Sequence, residues 1–243
     1  MDYKKADMMT LCSLLGASTS TVRRDLDKLE ADGFLKRVHG GAVLVEHDEP
    51  SSMEYIDDGY IPVASLAVHF VKNDDIIFLG GGNQCLCIAK ALVKNNWIGS
   101  IVTNNLNAAC EAAASPLIHV TMLGGMVINA NGRLTADGDE TVQAMRNVVV
   151  NKAFVTATGY SLEYGVFVDS SQQAALYQTL EKHSMETYLV MADKYDRIGR
   201  VRLGGPDHFK RIISLPSIPD AIKRYCSEQG IALYTSYLDD PAF

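Results

Sequence analysis

The sequence predicts an α/β protein in two parts: a small N-terminal head of helices closed by a basic hairpin, and a larger body built on a largely parallel sheet. Three observations carry this reading. Between residues 18 and 42, a short amphipathic helix with outward arginines runs into a glycine stop and then a basic hairpin. Beyond residue 59, short apolar runs alternate with helical patterns. Several of those runs end in glycine, threonine or asparagine, as βα turns do.

In the head, residues 6–16 read as a first helix, with Leu11, Leu14 and Leu15 on its apolar face and Gly16-Ala17 as the turn. Ser18 caps the next helix, because its hydroxyl can accept from an otherwise unpaired backbone N–H. Val22, Leu26 and Leu29 fall at i, i+4 and i+7 and share one buried face, which leaves Arg23, Arg24 and Lys28 outside. Gly33 stands where a left-handed C-terminal turn is wanted. Phe34 and Val38 anchor a strand whose Lys36, Arg37 and His39 point elsewhere, and Gly40-Gly41 allows a tight reversal. A helix for the major groove followed by a basic wing for the backbone is how a winged helix-turn-helix engages DNA. On this reading Ser18, Thr19, Thr21, Arg23 and Arg24 meet a double-stranded operator from the helix, and Lys36, Arg37 and His39 from the wing. An ordinary helix with solvated charges is the competing reading, and the His-Gly-Gly wing weighs against it. A trihelical head needs one more helix upstream. The few residues before this pattern fall short of the roughly 10 that a stable helix needs, so the first helix is expected to be missing.

Residues 45–59 are polar and acidic with Pro and Ser, as linkers are. The expected boundaries are therefore 1–44 for the head, 45–59 for the linker and 60–243 for the body. Within the body, Ile61 to Val71 reads helical and Asp75 to Leu79 is a buried strand. Cys85 to Lys94 is a helix, Ser100 to Thr103 a strand, Leu106 to Ala114 a helix and Ile118 to Leu123 a strand. Ala153 to Ala157 is a strand, Gln172 to His183 a helix and Thr187 to Ala192 a strand. Arg211 to Ile213, Ala221 to Glu228 and Ile231 to Tyr234 close the pattern as strand, helix and strand. Ligands of such sheets bind beyond the carboxyl ends of the strands. The candidate turns are Gly80-Gly81-Gly82-Asn83-Gln84, Thr103-Asn104-Asn105, Gly124-Gly125, Thr158-Gly159-Tyr160 and Asp193-Lys194. Glycines let the backbone approach an anion at a helix N-terminus, although they can equally make a tight turn and nothing more.

Thr21-Val22-Arg23-Arg24-Asp25-Leu26 together with Lys36-Arg37-Val38-His39-Gly40-Gly41-Ala42 closely resembles the signature of the DeoR family of bacterial transcription regulators. The body turns, with Leu123-Gly124-Gly125, Lys152-Ala153-Phe154 and Ala192-Asp193, resemble that family's effector domain. The resemblance implies a DNA-binding repressor with a body similar to ribose-phosphate isomerase and CoA transferase folds. It also implies a phosphorylated sugar at the strand ends. The effector residues it points to are Gly80, Gly81, Gly82, Asn83, Gln84, Thr103, Asn104, Asn105, Gly124, Gly125, Gly159, Asp193 and Lys194. Three positions depart from the family pattern. Asn83, Gln84 and Cys85 stand where consecutive threonines are usual, Thr158-Gly159 replaces an Asp-Gly, and the cation of the Asp193 loop is displaced.

The chain has 243 residues and 47% hydrophobic content, enough for a sizeable core. No apolar run approaches a membrane span and the N-terminus lacks the apolar segment of a signal peptide, so the expected compartment is the cytoplasm, with no membrane partner. Five scattered cysteines do not make a disulfide framework, and Cys85-Leu86-Cys87 reads as buried small side chains rather than a metal site. No metal and no cofactor are expected. Net charge is −7, and residues 1–41 carry a balance of +1, which leaves −8 for the rest. An acidic body confines DNA contact to a locally basic face. A short head binds weakly alone, so a homodimer or homotetramer reading paired half-sites is expected. Two alternatives remain: a sugar-phosphate isomerase-like enzyme, for which these turns offer no carboxylate base, and a degenerate paralogue that senses ligand without binding DNA.

Overall fold

A computed structural model describes residues 5–31, 35–38, 40–44 and 59–236, with the side chains of Lys5, Ala31, Lys36, Val43 and Leu44 outside the description. The expected linker falls almost wholly outside the described residues, as do Gly33, Phe34 and His39. The chain divides into two compact units, Met1–Ser52 and Met53–Phe243.

The first unit runs β1 (Lys5–Asp7), α1 (Met8–Leu15), α2 (Thr19–Ala31), β2 (Leu35–Val38) and β3 (Gly41–Leu44). Asp7 caps α1 by accepting from the Thr10 N–H at 2.9 Å, and Gly16 closes the helix in the left-handed region at φ 59°. Ser18 caps α2 as the sequence predicts, its Oγ accepting from the Thr21 N–H at 3.2 Å. The strands form one antiparallel sheet in the order β1-β3-β2. Residues 5–7 are thus a strand completing the wing sheet, and the helix expected over 6–16 begins only at Met8.

Val22, Leu26, Leu35 and Ala42 form the small core, with Leu11 and Cys12 packed against it. Two expectations are corrected here. Leu29 is 40% exposed: Leu35 and Ala42 cover the Val22–Leu26 segment, and the apolar face outruns that cover by one turn. The strand side facing α2 carries Leu35 and Arg37, while Val38 is exposed. The inward parity is therefore that of Leu35 and Arg37, one position off the expected Val38, and Phe34 lies outside the described residues.

The second unit alternates strands and helices. It begins α3 (Tyr60–His69), β4 (Ile76–Leu79), α4 (Asn83–Lys94), β5 (Gly99–Thr103), α5 (Leu106–Ala113) and β6 (Ile118–Met122). A hairpin of β7 (Met126–Ala130) and β8 (Arg133–Asp137) leads into α6 (Asp139–Met145) and β9 (Val150–Thr156). After β10 (Gly159–Ser161) and β11 (Gly165–Val168) come α7 (Ser171–His183), β12 (Ser184–Met191) and β13 (Val201–Gly204). The unit ends with β14 (Arg211–Ser214), α8 (Asp220–Glu228) and β15 (Ala232–Tyr234). Seven strands form one sheet in the order β15-β14-β12-β9-β4-β5-β6, and every pairing in it is parallel.

Alternation along each strand feeds two cores. Ile77, Leu79, Ile101 and Phe154 pack with α3, α4 and α5 on one face. Phe78, Val102, Val155 and Leu189 pack with α6, α7 and α8 on the other. Both faces being covered, the strands read as near-continuous apolar runs. Cys85 and Cys87 are buried among these residues, and burial pushes the Cys85 thiol up to about 12. Trp97 packs at the end of α4, its Nε1 donating to the Lys72 carbonyl at 2.8 Å. Among the described residues, no helix is long and apolar enough to cross a membrane.

At the N-terminal end of the sheet, Lys152 on β9 donates to Asp75 at 2.7 Å, with side chains only 13% and 12% exposed. Asp75 also accepts from the Lys72 N–H at 2.8 Å, tying the α3–β4 turn to the centre of the sheet. Lys152→Met strands the Asp75 charge in a nearly dry site. It is expected to lower unfolding stability by about 3 kcal/mol, with part recovered by adding Asp75→Asn. Urea titration checks this, and an unchanged midpoint for Lys152→Met contradicts it.

Candidate functional site

On the head, Ser18, Thr19, Thr21, Arg23 and Arg24 all lie exposed over the first turns of α2. Arg23 and Arg24 form no ion pair among the described residues and are open to an external anion or base edge. Arg37 is differently placed. Its guanidinium bonds Asp27 on α2, and its backbone N–H donates to Glu30 Oε1 at 2.8 Å. The wing is thereby stitched to the recognition helix. The Lys36 side chain and His39 lie outside the described residues.

In the body, the strand order reverses between β4 and β9, since the chain proceeds outward through β5 and β6 before returning to the other side of β4. Such a switch point opens a crevice at the carboxyl ends of the strands. A cleft of ≈480 Å³ lies there, within the usual range for small-molecule sites. Its lining includes Gly81, Gly82, Asn83 and Gln84 after β4, Asn104 after β5, Thr156 to Thr158 at the end of β9, and Lys194, Arg197 and Arg200 after β12.

The glycine turn is held in one orientation. Asn105 Nδ2 donates to the Gly80 carbonyl at 3.2 Å and the Gly82 carbonyl at 3.0 Å, and Thr156 Oγ1 donates to the Gly81 carbonyl at 2.7 Å. Asn105 is itself fixed as the cap of α5, accepting from the Ala108 N–H at 3.1 Å, and Thr103 Oγ1 accepts from the Asn105 N–H at 2.9 Å. With three consecutive carbonyls drawn into the protein, the N–H groups of Gly81, Gly82 and Asn83 have no acceptor among the described residues. Gly82 is the N-cap of α4 at φ 102°, so no side chain occupies the free end of that helix. Free N–H groups, the helix dipole and nearby cations together make a site for an anion.

The lining carries four cations, Arg133, Lys194, Arg197 and Arg200, against two carboxylates, Asp137 and Asp169, a net of +2 in an acidic chain. Lys194 is shared with Asp193 at 3.1 Å, whereas Arg197 and Arg200 have no ion pair among the described residues. Of the sequence-expected effector residues, Gly81, Gly82, Asn83, Gln84, Asn104 and Lys194 line the cleft. Gly80, Thr103 and Asn105 brace it from behind. Gly124 and Gly125, Gly159 and Asp193 do not line it. A Cβ on Gly125 would meet Thr141 Oγ1 at 2.2 Å and one on Gly159 the Arg197 carbonyl at 2.4 Å, so these glycines serve close packing.

Sequence reading missed the roof and one wall. Ile128, Ala130, Arg133, Thr135 and Asp137 come from the β7–β8 hairpin, and Asp169, Ser170 and Gln173 from the start of α7. Asn131-Gly132 was the available signal. Both residues have positive φ, 53° and 75°, as the favoured two-residue hairpin turn requires.

Comparison with known proteins agrees with this anatomy. The family model described as "DeoR-like helix-turn-helix domain" matches residues 3–48, and that described as "DeoR C terminal sensor domain" matches residues 61–214. The HTH-type transcriptional regulator IolR of Bacillus subtilis is 25% identical over 231 residues, covering 92% of this chain and 90% of that protein. The lactose phosphotransferase system repressor of Lactococcus lactis is 30% identical over 192 residues, covering 75% and 74%. Among solved structures, a ribose 5-phosphate isomerase A from Neisseria gonorrhoeae superposes with a TM-score of 0.42 at 15% identity, over 60% of this chain and 56% of that one. A helix-turn-helix head for DNA matched over residues 3–48 and a sensor body for a small-molecule effector matched over residues 61–214 place this chain in the DeoR family of transcription regulators.

Proposed function

We propose that the protein is a repressor whose operator affinity is set by a phosphorylated sugar bound in the switch-point cleft, acting in the cytoplasm as a homodimer or homotetramer. The observation that carries the reading is the glycine turn, whose three tied carbonyls leave its N–H groups free at the open end of α4 beside Arg197 and Arg200. The cations of the lining outnumber its carboxylates, and Arg197 and Arg200 have no ion pair among the described residues, a balance that favours an anion. The sugar assignment draws support from the lactose phosphotransferase system repressor among the relatives, and so does the direction of control. Paired heads follow from the size of α2, because one short helix reads only a half-site and palindromic operators need two. Ligand binding changes operator affinity through a coupling of about 1–3 kcal/mol, or roughly 5–150-fold.

The DNA half of this proposal is tested at Arg24, exposed on α2. Arg24→Ala is expected to cost about 1–3 kcal/mol in operator binding and relax preference at one base position. Fluorescence anisotropy on the operator measures it, and equal affinities across operator variants for both proteins would refute the placement.

The effector half is tested at Gly82. A Cβ there would sit 3.0 Å from Thr156 Oγ1 in a backbone conformation L side chains avoid, and it would stand between a phosphate and the N–H groups. Gly82→Val is expected to abolish binding of inorganic phosphate and sugar phosphates by calorimetry while the circular dichroism spectrum stays native. Binding that survives the substitution removes the glycine turn from the site.

A further inference from the structure

The wing is tied to α2 by two carboxylates. Asp27 and Glu30 lie at i and i+3 on α2, so they project from one side of the helix. Asp27 bonds the Arg37 guanidinium, and Glu30 Oε1 accepts from the Arg37 backbone N–H at 2.8 Å. One residue of the wing is thus gripped twice, through its side chain and through its backbone. β2 is the last strand of its sheet, and the Glu30 carboxylate takes up an N–H that β3 does not. Holding both groups of Arg37 sets where the strand lies and how it is turned. Lys36 and His39 are its near neighbours in sequence.

This placement runs against two general preferences. Glu30 stands in the last turn of α2, where the helix dipole disfavours negative charge, and Asp27 stands just before that turn. Both carboxylates also sit on a head whose partner is a chain of phosphates. Fold stability does not account for them. The Arg37 and Asp27 side chains are 36% and 56% exposed, and a pair so open to water contributes little to folding. Asp27 is also the i+4 neighbour of Arg23 and the i+3 neighbour of Arg24. It nevertheless pairs with Arg37, and both helix arginines stay without an ion pair among the described residues.

We propose that Asp27 and Glu30 are positioning residues for DNA binding: they hold the wing where it meets the DNA backbone, and Arg37 is their handle rather than a DNA contact. A phosphate would have to displace a carboxylate to reach the Arg37 guanidinium. The same pairing occupies Asp27, which otherwise competes with DNA for Arg23 and Arg24. Two acidic residues thereby raise the affinity of the head for a polyanion, the reverse of what their charge does by itself.

In the test, the full wild-type chain selects a duplex from a random DNA pool, and fluorescence anisotropy on that duplex measures affinity at fixed salt. Asp27→Ala and Glu30→Ala are each expected to bind about 5-fold or more weakly, although each removes a negative charge. Glu30→Gln removes the same charge but keeps an oxygen that accepts from the Arg37 N–H, and it is expected within about 2-fold of wild type. Arg37→Ala is expected to weaken binding as Asp27→Ala does. The double variant Asp27→Ala/Arg37→Ala is expected to bind no more weakly than Arg37→Ala alone, because both changes break one tie.

Unchanged or tighter binding by Asp27→Ala overturns the inference, as do equal losses in Glu30→Gln and Glu30→Ala. So does an Arg37→Ala loss that recurs at full size in the Asp27→Ala background, the mark of a direct phosphate contact. Hydrogen exchange read by mass spectrometry on α1 and α2 follows the head itself. Retained protection in Asp27→Ala supports a positioning role. Lost protection overturns it, since the carboxylate would then be holding the helix rather than the wing. The inference rests on α2 as the DNA-reading helix. These results leave that reading standing, whereas a wild type that enriches no duplex overturns both.

Discussion

The reversal of strand order between β4 and β9 is the constraint on which the sensor body depends. Two neighbouring parallel strands whose continuations leave in opposite directions cannot have their ends covered by the same connection, so a gap stays open above them. Everything chemically useful in the body faces that gap. The glycine turn follows β4, the threonines follow β9, and the cationic loop follows β12 one strand further out. The Asp75–Lys152 pair at the opposite end of the same two central strands fixes their register where no ligand contributes.

Charge is distributed unevenly in a chain of net −7. On the head, Asp27 and Glu30 hold Arg37 and its backbone, so part of the apparent positive charge of the wing is spent inside the protein. Arg23 and Arg24, by contrast, are exposed on α2 with no ion pair among the described residues. In the body, the cleft lining carries four cations against two carboxylates although the chain is acidic overall, and a cleft lined by one sign of charge focuses the field within it.

Much of this was legible in the residues. Strands buried on both faces announce themselves as runs such as Ile76 to Leu79, and the helices between them keep apolar periodicity because one side of each meets the sheet. The β7–β8 hairpin was invisible to that logic. Met126 to Ala130 is exposed along its whole length, so no alternation marks it, and only the Asn131-Gly132 turn betrays it. Leu29 misleads in the opposite sense, since periodicity assigns a face but not whether anything lies over it. Gly125 and Gly159 show that a glycine at a strand end has two possible reasons, close packing and close approach of a ligand, and only the surrounding atoms distinguish them. The wall from the start of α7 was out of reach for a different reason: Asn104, Asp137 and Ser170 are far apart in sequence and are linked only in the fold, through the Asn104–Ala136 and Ser170–Asp137 hydrogen bonds.

The tied carbonyls of the glycine turn have a consequence for where motion can occur. Bonds from Asn105 and Thr156 hold the floor of the cleft in one conformation, so little backbone disorder is left there for a ligand to quench. The roof is unlike the floor. The outer strand of the hairpin is solvent-exposed throughout and paired on one side only. Elements of that kind occupy the low-stability end of a domain's opening free energies. Freedom in this body is therefore concentrated in the hairpin above the cleft rather than in the glycine turn that forms its floor.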